Sequence, residues 1–194
     1  MFCKIFLIYE SIKTIFYTFL LHLDSKRISY KSKVEFPAKI INPKHISIGN
    51  GTRICRYAFI APIVKYLDQH FSPQIEILED CYIGHSVHIV CTKKIKIGKN
   101  CLIADRVFIA DNIHGHKDIN RSIIENNLIE KGEVHIGNGV WIGENACIFG
   151  NLTVGEGAII GANSVVTKSI EPYSINVGIP SRKIGSRFPT NNNH

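Results

Sequence analysis

A chain of 194 residues is long enough to bury a core and short enough to be one domain. With 45% hydrophobic and 20% charged residues it is neither a disordered chain nor a set of membrane spans, and its net charge of +7 favours anionic partners without choosing among them. The lysines and arginines are dispersed and no nucleic-acid-binding signature accompanies them, so nucleic acid is not expected as a partner.

The first 23 residues, "MFCKIFLIYESIKTIFYTFLLHL", are strongly apolar, but Lys4, Glu10 and Lys13 interrupt any window long enough to span a bilayer. Apolar residues at three- and four-residue spacings, among them Phe2, Ile5, Tyr9, Ile12, Phe16, Phe19 and Leu23, predict an amphipathic helix within a segment 1–30. Its apolar face is expected to pack on its own domain or on a neighbouring subunit, with peripheral contact at the inner face of the membrane as the alternative. Six cysteines lack any C-x-x-C pair and no secretory cleavage site is present, which points to a reduced, cytoplasmic chain.

Residues 31–187 follow a six-residue period. From Ile136 the chain reads "IGNGVW", "IGENAC", "IFGNLT", "VGEGAI", "IGANSV", "VTKSIE", and Val140, Ala146, Ala158 and Ser164 supply a small or β-branched fifth position. Shorter runs begin at Ile48, Ile77 and Ile97, each three hexads long. Three hexads before every break imply a coil with three sides, each a short strand, stacked so that equivalent aliphatics form columns. Five such coils at a spacing of about 4.8 Å give a prism roughly 24 Å tall, and residues 34–47 are expected to add a sixth, irregular coil. Cys81 and Cys101 fall at the small inward position and read as core filler. Residues 188–194 read as a disordered tail.

The longest of the breaks between runs follows Ile109. After Ile109 the chain runs "ADNIHGHKDINRS", with two histidines around a glycine, and the period is lost until Ile136. On a rigid scaffold such an ejected loop is where functional residues concentrate. His114 and His116 could be bases, metal ligands or surface residues; "H-x-H" alone places no third ligand, so no metal is expected.

The hexads resemble those of the hexapeptide-repeat acyltransferases. The resemblance is strongest in "VHIGNGVWIGENACIFGNLTVGEGAIIGANSVVTKSIEPYSINVGIPSRKI", which is similar to the sugar O-acetyltransferases, those of galactosides, maltose and bacterial surface polysaccharides. It implies an all-β fold, a left-handed parallel β-helix with a short helix and an extruded loop, and an acetyl-CoA-dependent O-acetyltransferase acting on a sugar hydroxyl. The hand comes from the resemblance alone.

The resemblance also implies residue roles. The family's catalytic histidine lies five residues past the last aliphatic of the hexad run, which here is His114, with His116 next in order. A sugar hydroxyl is a poor nucleophile, and an imidazole, with an ordinary pKa of about 6.5, can take its proton and return it to the leaving thiolate. Asp111 or Glu144 would fix the tautomer. Ser86 stands where relatives carry a sugar-holding asparagine; it is flanked by His85, and the departure touches acceptor specificity. Trp141, the only tryptophan, needs a cover: cofactor, sugar or neighbouring subunit. Gly143, Gly161 and Ala162 would let a pantetheine arm approach the backbone, while Thr167, Lys168, Arg182 and Lys183 would meet the nucleotide phosphates. A homotrimer is implied. Rival readings are an amino-sugar N-acetyltransferase, a serine acetyltransferase, and a non-catalytic or zinc-binding carbonic-anhydrase-like repeat protein using His85 and His88 with His114 or His116.

Overall fold

A computed structural model describes residues 2–25 and 27–188, with side chains from Ile8 onward. The expected tail falls almost wholly outside the described residues. Three parallel sheets make the three faces of a prism. The first face carries Lys33–Val34, Arg53–Ile54, Tyr82–Ile83, Leu102–Ile103, Trp141–Ile142, Ile159–Ile160 and Ser174–Val177, and Arg182–Ser186 folds back antiparallel on the last of these. The second carries Lys39–Ile40, Phe59–Pro62, His88–Cys91, Phe108–Ala110, Cys147–Phe149 and Val165–Val166. Ile46–Ile48, Gln74–Ile77, Lys94–Ile97, Glu133–Ile136 and Leu152–Val154 form the third.

The chain visits the faces in rotation, so the hexad aliphatics stack. Ile54, Ile83, Ile103, Ile142 and Ile160 are in register on the first face. Ile60, Ile89, Ile109, Ile148 and Val166 form the column of the second. Ile48, Ile77, Ile97, Ile136 and Val154 form that of the third. All are buried, as are the small residues Cys81, Cys101, Val140, Ala146, Ala158 and Ser164 that fill the space beside them. Removing these branched side chains from water is the main drive for the coil to close on itself. The five described cysteines are free thiols. Five complete coils are present, as the period predicts; the irregular first coil starts earlier than residue 34, because Ile28 already bridges Ile48.

Turns between the first and second faces place one residue in the left-handed region: Tyr57, Ser86, Arg106, Asn145 and Asn163. Asparagine tolerates this conformation well, and two of the five are asparagine.

Helix α1 (Phe2–Asp24) covers the start of the prism. It does so with an unexpected face. Thr18 and Leu21 are buried and Tyr17 is half-buried; Tyr17 Oη donates to the Ala38 carbonyl at 2.7 Å, and Thr18 Oγ1 accepts from Val34 N–H at 2.9 Å. Ile8, Ile12, Ile15, Phe16, Phe19 and Leu23 all face outward. The described apolar side chains do not pack on the chain's own prism, where Tyr17 and Thr18 hydrogen-bond to the first coil's strand ends instead, which leaves a neighbouring subunit or a membrane surface to cover them.

Candidate active site

Two hairpins leave the prism along the edge between its second and third faces. The shorter is Lys65–Tyr66 with Gln69–His70, and the longer is Asn112–His114 with Leu128–Glu130. They originate two coils apart and meet outside the prism. Gln69 clamps Leu128 from both sides, its Oε1 accepting from the Leu128 N–H at 2.7 Å and its Nε2 donating to the Leu128 carbonyl at 3.0 Å. Tyr66 donates its hydroxyl hydrogen to the Ile124 carbonyl at 2.8 Å.

Asp111 roots the longer hairpin. It is fully buried, and its oxygens accept from Thr92 N–H and Lys93 N–H at 2.8 Å each, from Thr92 Oγ1 at 3.1 Å and from Asn112 Nδ2 at 2.9 Å. A buried carboxylate is tolerable only when so many donors surround it. Burial and the adjacent Asp111 carboxylate together push the Cys91 thiol far above its ordinary range. Asp111 thus ties the hairpin base to the preceding coil, and its hydrogen bonds go to Thr92, Lys93 and the neighbouring Asn112 rather than to His114.

The imidazole of His114 is exposed and meets Tyr66: Nδ1 lies 3.4 Å from Tyr66 Oη, and the rings pack edge to face with centroids 5.6 Å apart. His116 Nδ1 faces the carbonyl oxygen of His114 at 3.3 Å. The glycine between the histidines has a steric cause. Gly115 donates its N–H to the Asn127 carbonyl at 2.9 Å, and a Cβ at position 115 would come within 2.4 Å of that oxygen. Only glycine allows the two arms of the hairpin to approach this closely.

Thr167 and Lys168 follow the last strand of the second face on this same edge, two strand spacings or about 10 Å further along the prism, and Arg182 and Lys183 reach them from the strand folded back on the first face. Thr167, Lys168, Arg182 and Lys183 line one cleft of about 320 Å³, together with Ser181 and the buried Asn176. Lys183 is paired with Glu171 at 2.6 Å, which holds that carboxyl below its ordinary range. Lys168 has no ion-pair partner among the described residues. The Ser181 hydroxyl is buried with no hydrogen-bond partner and is a donor-side candidate the sequence reading missed. A second cleft of about 350 Å³ shares Ser169 with the first and runs past Asn151 to Gly132, at the root of the His114 hairpin.

The remaining candidates sit elsewhere. His85, Ser86, Gly143, Glu144, Gly161 and Ala162 occupy the edge between the first and second faces. His85 pairs with Asp105 at 3.5 Å, and Glu144 is ion-paired to Arg106. Within one chain neither Glu144 nor Asp111 orients His114; Tyr66, supplied by the other insertion, makes that contact. Gly143 has a packing reason to be glycine, because a Cβ there would lie 2.5 Å from Ala162 N. Trp141 is half exposed on the first face, in register with the exposed Leu102 and Tyr82.

The zinc reading needs histidines that converge. His88 instead lies between the rings of Phe59 and Phe108, at centroid distances of 4.6 and 5.5 Å, and the loss of water there lowers its pKa. Among the described residues the grouping with metal-ligand spacing is Glu35, Cys55 and His85, and both Arg53 and Arg56 lie on Glu35. Two guanidiniums on one ligand disfavour a cation there.

Residues 133–168 match the family described as bacterial transferase hexapeptide (six repeats). WbbJ of Escherichia coli, which carries the name of a lipopolysaccharide biosynthesis O-acetyl transferase, is 30% identical over 78% of this chain and 76% of its own length. The galactoside O-acetyltransferase of Escherichia coli is 30% identical over 80% of this chain and 71% of its own. Among solved structures, AntD, an N-acyltransferase from Bacillus cereus in complex with dTDP and 3-hydroxybutyryl-CoA, superposes with a TM-score of 0.67 at 25% identity over 81% of each chain. A rotation of hexads over three sheets, an extruded histidine hairpin and a basic cleft on one edge, together with these likenesses, make the chain an enzyme that belongs to the hexapeptide-repeat acyltransferases.

Proposed function

We propose that the protein is an acetyl-CoA-dependent O-acetyltransferase acting on a sugar hydroxyl in surface-polysaccharide or glycan modification, on a left-handed β-helix, with His114 as general base. The observation that carries this reading is the shared edge: the His114 hairpin and Lys168 leave the prism on the same edge two coils apart, and the second cleft runs from Gly132, just after the hairpin, to Ser169 at the rim of the basic cleft. Lys168 and Arg182 meet the phosphates of the donor, Ser181 donates to it, and the pantetheine arm runs along the edge toward His114.

Tyr66 sets the tautomer. Its hydrogen is committed to Ile124, so a lone pair of its oxygen faces Nδ1 of His114, which then carries the ring proton. The lone pair of Nε2 is left for the acceptor. Catalytic hydrogen bonds of this length commonly shorten once substrates are bound. Nε2 takes the hydroxyl proton as the sugar oxygen attacks the thioester carbonyl. The tetrahedral intermediate collapses, the carbon–sulfur bond breaks, and the imidazolium returns its proton to the thiolate, giving ester and free thiol.

A homotrimer completes the account. His85, Ser86 and Glu144 occupy a different edge from His114, so a neighbouring copy is needed to bring such residues to the acceptor, and Tyr82, Leu102 and Trp141 offer an exposed apolar column for the contact. The names of WbbJ and the galactoside enzyme favour oxygen as acceptor, and that of AntD keeps nitrogen as the second reading. Thiol release from acetyl-CoA, followed over a panel of neutral saccharides and their amino-sugar counterparts, tests the choice. Turnover with hydroxyl acceptors supports O-transfer; turnover confined to amino sugars overturns it.

A further inference from the structure

We infer that helix α1 and the segment following it form a docking surface for an anionic lipid bilayer. The helix is amphipathic in the opposite sense to a core helix. Its prism side is held by Tyr17, Thr18 and Leu21, with two hydroxyls in hydrogen bonds, while Ile8, Ile12, Ile15, Phe16, Phe19 and Leu23 stand between 50% and 69% exposed in one stripe. A stripe of this size requires a cover. Among the described residues no helix is long and apolar enough to cross a membrane, so the stripe is suited to lie in the interface rather than span it.

The charge beside the stripe identifies the cover. Interfacial helices usually carry their own cations, and among the described side chains of this one the only lysine or arginine is Lys13, which pairs with Glu10. The chain supplies them from the segment that follows. A groove of about 530 Å³ runs between the helix and residues 30–33, its lining including the apolar Phe19 and Tyr30, the cations Lys31, Lys33, Arg53 and Arg56, and the acids Glu10 and Glu35. Glu35 pairs with Arg53, and Glu10 pairs with Arg56 at 3.1 Å, so both guanidiniums are balanced. Lys31 and Lys33 are exposed and have no ion-pair partner among the described residues. Lys31 Nζ lies 6.0 Å from the ring centre of the exposed Tyr30, an arrangement of ring and ammonium suited to the headgroup level.

An apolar stripe flanked by unbalanced ammonium groups matches hydrocarbon bordered by phosphate. A second copy of this chain matches it less well, because it brings a net charge of +7 rather than a surplus of acid. On a bilayer, Phe16 and Phe19 enter the acyl boundary while Lys31 and Lys33 meet lipid phosphates, each lysine adding to the attraction for an anionic surface. This inference does not depend on which acceptor is acylated.

The full chain is sedimented with phosphatidylcholine vesicles, with and without phosphatidylglycerol, at low and high salt, and its oligomeric state is read by sedimentation velocity without lipid. Binding is expected only with phosphatidylglycerol present, and it should weaken as salt rises. Lys31→Glu with Lys33→Glu should weaken it by about tenfold or more. Phe16→Ser with Phe19→Ser should abolish it with the oligomer intact. Equal partition onto both vesicle types, or onto neither, overturns the inference. So does an oligomer that dissociates in the phenylalanine variant, which assigns the stripe to a second copy.

Discussion

The hydroxyl of Tyr66 stands 3.4 Å from Nδ1 of His114 and donates its hydrogen over 2.8 Å to the carbonyl oxygen of Ile124. The two residues come from different insertions, 48 positions apart, and meet because both insertions leave the same edge of the prism. Tyr66→Phe keeps the ring contact and removes the hydroxyl that faces Nδ1 of His114. Turnover should fall roughly tenfold, the worth of one hydrogen bond, with little change in KM for either substrate. A variant whose KM rises at constant kcat would make Tyr66 a substrate-binding residue instead.

Gly115→Ala presses a methyl group onto the Asn127 carbonyl and forces the hairpin arms apart. The hexad columns lie outside this contact, so thermal stability should change little. Displacing His114 by an ångström should cost up to about a hundredfold in kcat. Stability and kinetics measured on the same preparation check both halves.

Much of this was legible in the sequence, because a six-residue period couples each aliphatic to a place in space. Ile54, Ile83 and Ile103 needed only counting to be put in one column. The break in that count located His114 and His116 together, and the preference for His114 came from the resemblance. Its partner was not legible: Tyr66 sits in an insertion without repeat or motif, and only the stacking of coils reveals that residues 62 and 110 reach the same edge. Asp111 misled for a related reason. Proximity in sequence suggested a partner for His114, whereas the backbone N–H groups of Thr92 and Lys93, one coil earlier, compete for its oxygens and win. In α1, periodicity located two faces and could not say which turns inward.

The donor cleft makes a graded prediction. Lys168→Ala and Arg182→Ala should each weaken CoA binding by about 1.5–3 kcal/mol, the range for hydrogen bonds to charged groups. Lys183→Ala should cost less, since its ammonium is already paired with Glu171. A pantetheine thioester without the nucleotide should be insensitive to all three. Calorimetric titration with both donors tests this, and equal losses with both would reassign the cleft to structure.

His88 gives a pH signature. Its ring is partly desolvated between Phe59 and Phe108, which disfavours the imidazolium and lowers its pKa in the folded protein. Between the folded and ordinary values the unfolded chain binds more protons than the folded one. The contribution to stability is therefore full above the ordinary histidine range and is lost as pH falls through it. Because the ring keeps contact with water the slope is shallow. An NMR titration should find His88 below the ordinary value, and Phe108→Ala should bring it back up.

In the proposed mechanism His114 removes the acceptor's proton. Turnover of acetyl-CoA with a responsive sugar acceptor, compared between wild type, His114→Ala and His116→Ala at matched CoA affinity, tests it most directly. His114→Ala should lose a hundredfold or more, about the value of a general base, with CoA binding and melting temperature unchanged, while His116→Ala retains most activity. Near-normal turnover in His114→Ala beside an inactive His116→Ala would assign the base to His116 instead.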